Sequence, residues 1–154
     1  MAAGAFTVYA ANIDDIRFND LLAASIKCAL VSSAYTPDAS NSGNSLWSSV
    51  SANEIAAGNG YTAGGATLSG VAITAVTNGF KFSSNNVSWT ASGGSIPAWR
   101  YAVFYVNGTL WGMTKPLIGY FIGDSTPADI GATASGNPLT LICPAAGWCP
   151  ITRV

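Results

Sequence analysis

Histidine is absent from the chain, and charge of either sign is scarce. Of its 154 residues only 8% are Asp, Glu, Lys or Arg, against about 25% in ordinary soluble domains. Without an imidazole there is no Ser-His-Asp or Cys-His relay to activate a nucleophile. The six cations never run together. Clustered Lys and Arg are what neutralise phosphate backbones and anionic lipid surfaces, so neither a nucleic-acid partner nor a membrane partner is expected. Uninterrupted apolar runs of the roughly 18 residues that a membrane span needs are also missing, the longest being strand-sized, such as Ala102 to Val106. Met1 to Asn12 has no basic leader and no compact apolar stretch. No secretory signal is read there, and synthesis in a cytoplasm is expected.

Cysteine is sparse as well: Cys28, Cys143 and Cys149. An odd count does not make a disulfide framework. Cys28 sits where a small core residue fits. Cys143 and Cys149 enclose Pro-Ala-Ala-Gly-Trp, which leaves a small-loop disulfide open, although a cytoplasm favours free thiols. With no histidine and no second cysteine pair, no zinc site is expected. A phosphate-cradling Gly-Lys-Ser/Thr loop is missing too, and no cofactor is expected.

What the chain does have is apolar and uncharged polar residues. Hydrophobic residues make up 49%, alongside 17 glycines and many Ser, Thr and Asn. Monomeric proteins normally use charge to stay apart. A chain that omits it reads either as a component of a larger assembly or as a low-charge β-domain, and composition leaves both open. The length suits one domain over 1–154, with 1–24 as an N-terminal arm and 135–154 as a C-terminal extension.

The pattern is one of short strands between turns. Ser25 to Ser32 alternates, with Ile26, Cys28 and Leu30 facing inward. Tyr35 to Asn44 and Gly58 to Gly65 are dense in turn formers. Ala66 to Val76 alternates with a slip near Gly70, read as a bulge. Asn78-Gly79 signals a hairpin of type I′, with Phe80 and Phe82 on the returning strand. Val87, Trp89 and Ala91 form the next run. Trp99 to Val106 is apolar on both faces and is expected to be central. Pro116 to Ile122, Leu139 to Cys143 and Ile151 to Val154 complete the strands. Asn12 to Ala24 reads as a short helix or an extended arm, and Leu46 to Ile55 as a helical turn or an extended crossing. The expected fold is all-β: a single small β-sandwich (jelly-roll-like) or a partly open barrel, with an extended or short helical N-terminal segment.

Seven acids remain as chemistry: Asp14, Asp15, Asp20, Asp38, Glu54, Asp124 and Asp129. Glycoside hydrolysis needs two carboxylates facing each other across a cleft. Asp124 and Asp129 flank one loop and are the candidate pair, but solvated loop carboxylates are the commoner explanation. No catalytic residues are assigned, and the chain is read as a non-enzyme. Trp89 and Trp99 fall in strand patterns and are expected in the core. The candidate protein-interface residues are Trp47, Tyr61, Trp111 and Trp148. Trp111 and Trp148 lie in turn-rich stretches, where exposure is expected.

Five segments carry a resemblance: Ile26 to Asp38 (IKCALVSSAYTPD), Trp47 to Leu68 (WSSVSANEIAAGNGYTAGGATL), Trp89 to Gly94 (WTASGG), Arg100 to Tyr105 (RYAVFY) and Pro116 to Tyr120 (PLIGY). Their order and spacing resemble a family of virion structural proteins of tailed bacteriophages and prophages. Gly60 to Gly65 (GYTAGG) is the most specific element. The acidic Ile13 to Ala24 and the Ser135 to Val154 end depart from the pattern. The resemblance implies a structural β-domain located in the virion, with the major capsid protein and further copies of itself as partners. Such proteins are capsid decoration or tail-associated components, so the resemblance does not decide the location; taken with the low charge and the β pattern, it leads to the expectation of a capsid cement (decoration) protein that stabilises the head. A tail or neck component, and a glycan- or receptor-binding module on the virion, are the alternatives.

Overall fold

The computed structural model describes residues 3–153. Twelve strands appear in chain order: β1 (Thr7–Val8), β2 (Ile26–Val31), β3 (Ala66–Thr67), β4 (Ala72–Val76), β5 (Gly79–Ser83), β6 (Val87–Thr90), β7 (Tyr101–Val106), β8 (Thr109–Leu110), β9 (Met113–Thr114), β10 (Leu117–Ile122), β11 (Pro138–Leu141) and β12 (Cys149–Thr152). The helical segments among the described residues are short 3-10 turns, at Ala10–Asn12, Phe18–Leu22, Trp47–Ser49 and Ser51–Asn53. The protein is all-β.

A five-stranded antiparallel sheet in the order β1-β10-β7-β2-β3 forms the centre. Strand β7 lies between β10 and β2, where its two apolar faces predict it. Alternation then sends its side chains to two separate cores. Ala102, Phe104 and Val106 join Ile26, Cys28, Leu30 and Ile118 in the larger one. Val103 and Tyr105 join Ala29, Val31 and Leu117 in the smaller one. Trp99 leaves this alternation because it precedes the strand, and it belongs to the larger core.

The larger core is closed by two separate small sheets, β11-β6 and β12-β5-β4, which contribute Leu141, Val87, Trp89 and Phe82, and by Trp148 just before β12. The smaller core is closed by loops instead, through Tyr9, Tyr35, Trp47 and Val50. Buried hydroxyls and amides hold these loops. The Tyr9 and Tyr35 hydroxyls are 2.8 Å apart, and Tyr35 donates to Asn44 Oδ1 at 2.7 Å. Asn12 Nδ2 donates to the carbonyls of Ser45 and Leu117.

Several expectations change in detail. The slip at Gly70 is not a bulge: β3 belongs to the central sheet and β4 to a small one, and Gly70 at φ 62° marks the crossing. The β4–β5 hairpin forms, but its turn is centred one residue earlier than Asn78-Gly79. Asn78 has φ 60°, whereas Gly79 is already in the strand opposite Val76. A side chain at Gly79 would collide with the Ile151 carbonyl on β12. A turn with φ above zero at both central residues occurs instead at Trp111 and Gly112, between β8 and β9. Within 1–24, the described residues 3–24 do not stand off as an arm: β1 pairs with β10, and Tyr9, Asn12 and Leu21 are buried. Nor is the described part of 135–154, residues 135–153, an appendage, since β11 pairs with β6 and β12 with β5. All three cysteines are free.

Candidate functional site

The acids were the first candidates for chemistry, and five of the seven serve the fold. Asp129 accepts from Arg100 Nε at 2.7 Å and from the Ser33 hydroxyl. Asp124 accepts from the backbone N–H and hydroxyl of Thr126, which hold its carboxyl below the ordinary carboxylate range. The pair therefore turns to separate local partners. Asp38 accepts twice from Ser40, and Asp20 accepts from Trp111 Nε1. Glu54 accepts from the Tyr61 hydroxyl and from Gly64 N–H, each at 2.7 Å. Asp14 and Asp15 are exposed. No group of three or more potential metal ligands occurs among the described residues.

The Gly60–Gly65 loop is explained by the same contacts. Tyr61 is buried, its hydroxyl accepting from Leu30 N–H on β2 while donating to Glu54. Burial pushes that hydroxyl far above the usual phenol range; the Leu30 bond lowers it and the Glu54 bond raises it further. Tyr105 donates to the Gly64 carbonyl. Gly65, at φ 75°, lies so close to β2 that a Cβ would strike the Cys28 carbonyl. The motif is thus a clasp that fastens a loop to the central sheet.

Three of the four aromatic interface candidates are buried, although Trp148 also lines an apolar groove. Trp47 stacks on Tyr105 with ring centres 4.4 Å apart and planes at 5°. Tyr61 is in the clasp. Trp148, expected to be exposed, is only 6% exposed and stacks on Phe121 at 5.9 Å and 7°. The bend preceding β12 turns it inward, and its Nε1 donates to the Ser84 hydroxyl. Trp89 and Trp99 are buried as expected. Trp111 is half-buried at the β8–β9 tip with φ 53°, unusual for a bulky residue. Its bond to Asp20 and its packing against the larger core hold it there.

Besides isolated exposed side chains such as Ile13 and Leu22, two exposed apolar features occur among the described residues. The first is a groove of about 660 Å3, bordered by Phe6 near one chain end and by Leu139, Ile142 and Pro150 near the other, with Trp99 and Phe121 between them. None of its lining residues is charged. Ile142 on its border is 70% exposed.

The second is an overhang of the β12-β5-β4 sheet. Register places Ile73, Phe82 and Cys149 side by side on one face, and Ala75, Phe80 and Ile151 next along the same face. The first row enters the core, where Phe82 is fully buried. The second row runs past the core, leaving Phe80 and Ile151 55% and 40% exposed. Cys149 belongs to both features, lining the groove and preceding Ile151 on the same face.

Of the four aromatic candidates, Trp148 lines the groove, and none lies on the overhang. Which face a strand buries was legible in the alternation, but where the covering core stops along that face was not. No helix among the described residues is long and apolar enough to cross a membrane. In comparisons with known proteins, no family model, curated sequence or solved structure matches the chain.

Proposed function

We propose that the protein is a non-enzymatic structural component of a tailed-phage particle, a cement protein that docks on the head and bridges neighbouring copies of the major capsid protein. The observation that carries the reading is the pairing of an uncharged apolar groove with the apolar sheet overhang, on a chain whose acids mostly serve the fold. Exposed apolar surface of this kind marks contact with other proteins. Low charge suits a protein desolvated on several sides, and the resemblance of the Gly60–Gly65 region to virion proteins supplies the particle. The mechanism would be mechanical: each docked copy adds buried area, and a contact of ordinary size, about 1,600 Å2 in total, repeats over the lattice.

The glycan-binding alternative needs an exposed, flat aromatic platform. Trp47–Tyr105 lies in the smaller core, and Phe121 and Trp148, which line the groove, are only 7% and 6% exposed, so neither stacked pair offers an exposed platform. The test is the protein's location and copy number in purified particles, with heads and tails separated. Many copies spread over the head are expected. Confinement to tails, or absence from particles, would overturn the cement reading.

A further inference from the structure

We infer that two copies of this chain associate about a twofold axis by pairing their β4 strands edge to edge, each covering the apolar overhang of the other. The edge itself makes the first argument. Strand β4 is an edge of its sheet, and Thr74, Ala75 and Val76 are exposed. Its sequence, Ala-Ile-Thr-Ala-Val, has no charge and no proline. Natural proteins blunt such edges, because unpaired backbone groups recruit another strand. Most other edges here are blunted: β12 carries Pro150, β11 begins with Pro138, and β1 and β3 are two residues long; β6 is also uncharged and free of proline, but it is shorter than β4.

Register makes the second argument. Arg153 N–H donates to the Asn78 carbonyl, opposite it in the β12–β5 ladder. Backbone groups alternate sides along a strand, so Phe80 and Phe82 turn theirs toward β12 and Lys81 turns its own toward β4. Ile73 and Ala75 then turn their N–H and C=O outward, and among the described residues these groups have no hydrogen-bond partner outside the ladder. A twofold axis at Thr74 sets Ile73 of each copy opposite Ala75 of the other, in the geometry an antiparallel ladder requires. Thr74 meets its own copy across a close, non-hydrogen-bonded position.

Mutual coverage identifies the occupant as a second copy. Antiparallel pairing lays the projecting end of each sheet beside the part of the other that lies over its own core. Ala75 and Phe80 of one copy then approach the Phe18–Leu22 turn of the second, which packs against β4 and carries Leu22, 47% exposed. Two exposed apolar groups with no use in the monomer are buried together. Charge does not oppose this: β4 has none, and the Lys81 ammonium on the neighbouring strand is tied to the Ala145 carbonyl at 2.7 Å. The strand pair alone is smaller than the roughly 1,200–2,000 Å2 of stable complexes, so the contact between overhang and turn is needed for association.

The inference shares the overhang with the cement reading and would leave the groove as the surface that meets the capsid; the two are tested separately, dimerisation on the purified chain and the cement reading on particles. The experiment is sedimentation velocity of the full chain from micromolar to submillimolar concentration, with three variants. Wild type should pass from monomer to dimer. Ala75→Pro removes an outward N–H but none of the β4–β5 ladder, and Ala75→Lys places a charge in the buried row. Each should weaken dimerisation about tenfold or more, with circular dichroism unchanged. Thr74→Cys, in a Cys143→Ser background, should form an intermolecular disulfide on mild oxidation, while Thr77→Cys in the same background should not. A monomer at every concentration overturns the inference. So does a dimer that both Ala75 variants leave intact and that Thr74→Cys fails to cross-link.

Discussion

At the residue scale, tyrosine hydroxyls take on work that ion pairs do in more highly charged proteins. Only one salt bridge, Arg100 to Asp129, occurs among the described residues. Tyr9, Tyr35 and Asn44 form one chain of hydrogen bonds, and Tyr61 and Tyr105 fasten the Gly60–Gly65 loop. Such groups are favourable only while they keep their protons. Burial pushes both Tyr35 and Tyr105 up to about 12 from an ordinary value of 10.0. Because the folded values lie above the unfolded ones, the unfolded chain ionises first as pH rises. The stabilisation is therefore complete below about pH 10 and is lost between about pH 10 and 12. In an alkaline titration, a large part of the phenolate absorbance should appear together with loss of near-ultraviolet circular dichroism. Full phenolate development near pH 10 with the folded signal intact would refute this account of the tyrosines.

At the element scale, the clasp separates what the sequence disclosed from what it withheld. Glycine density announced a tight loop, and the alternation in Ile26 to Val31 announced the strand beneath it. Nothing local said that the two touch, because the contact depends on Leu30 and Tyr105, both distant from the loop in the chain. Tyr61 was singled out for the same reason that Trp47 and Trp148 were: large aromatics suit both interfaces and cores, and only the tertiary fold decides. The two-sided apolar pattern of β7, by contrast, sufficed to place it at the centre of the sheet. The clasp predicts a graded response to substitution. Gly65→Ala combines a left-handed backbone with a collision against the Cys28 carbonyl, and should cost about 2–4 kcal/mol. Gly131→Ala has open space and no positive φ, and should change stability by less than about 1 kcal/mol. Urea unfolding of both variants measures the difference. Equal stabilities would mean that the loop is not held against β2 as described.

At the scale of the whole molecule, the two ends of the chain are built into one body. Residues near the N-terminus and residues 139–150 border the same groove, and the last two strands complete sheets begun by β5 and β6. Such long-range antiparallel pairing demands that distant segments meet before either sheet is closed. Removing 135–154 deletes the partners of both strands. It also takes Leu141, Trp148 and Cys149 out of the larger core, uncovering Phe82, Trp89 and Phe121. Loss of Trp148 alone, a buried aromatic, costs about 3–5 kcal/mol, a large part of the roughly 5–15 kcal/mol that holds a domain together. A chain ending at Ala134 should lose cooperative thermal unfolding and bind a hydrophobic dye at temperatures where the full chain does not. If the shortened chain melted cooperatively within a few degrees of the full one, β11 and β12 would be attachments to an independent domain, and the groove and the Ile151 end of the overhang would belong to a separable extension.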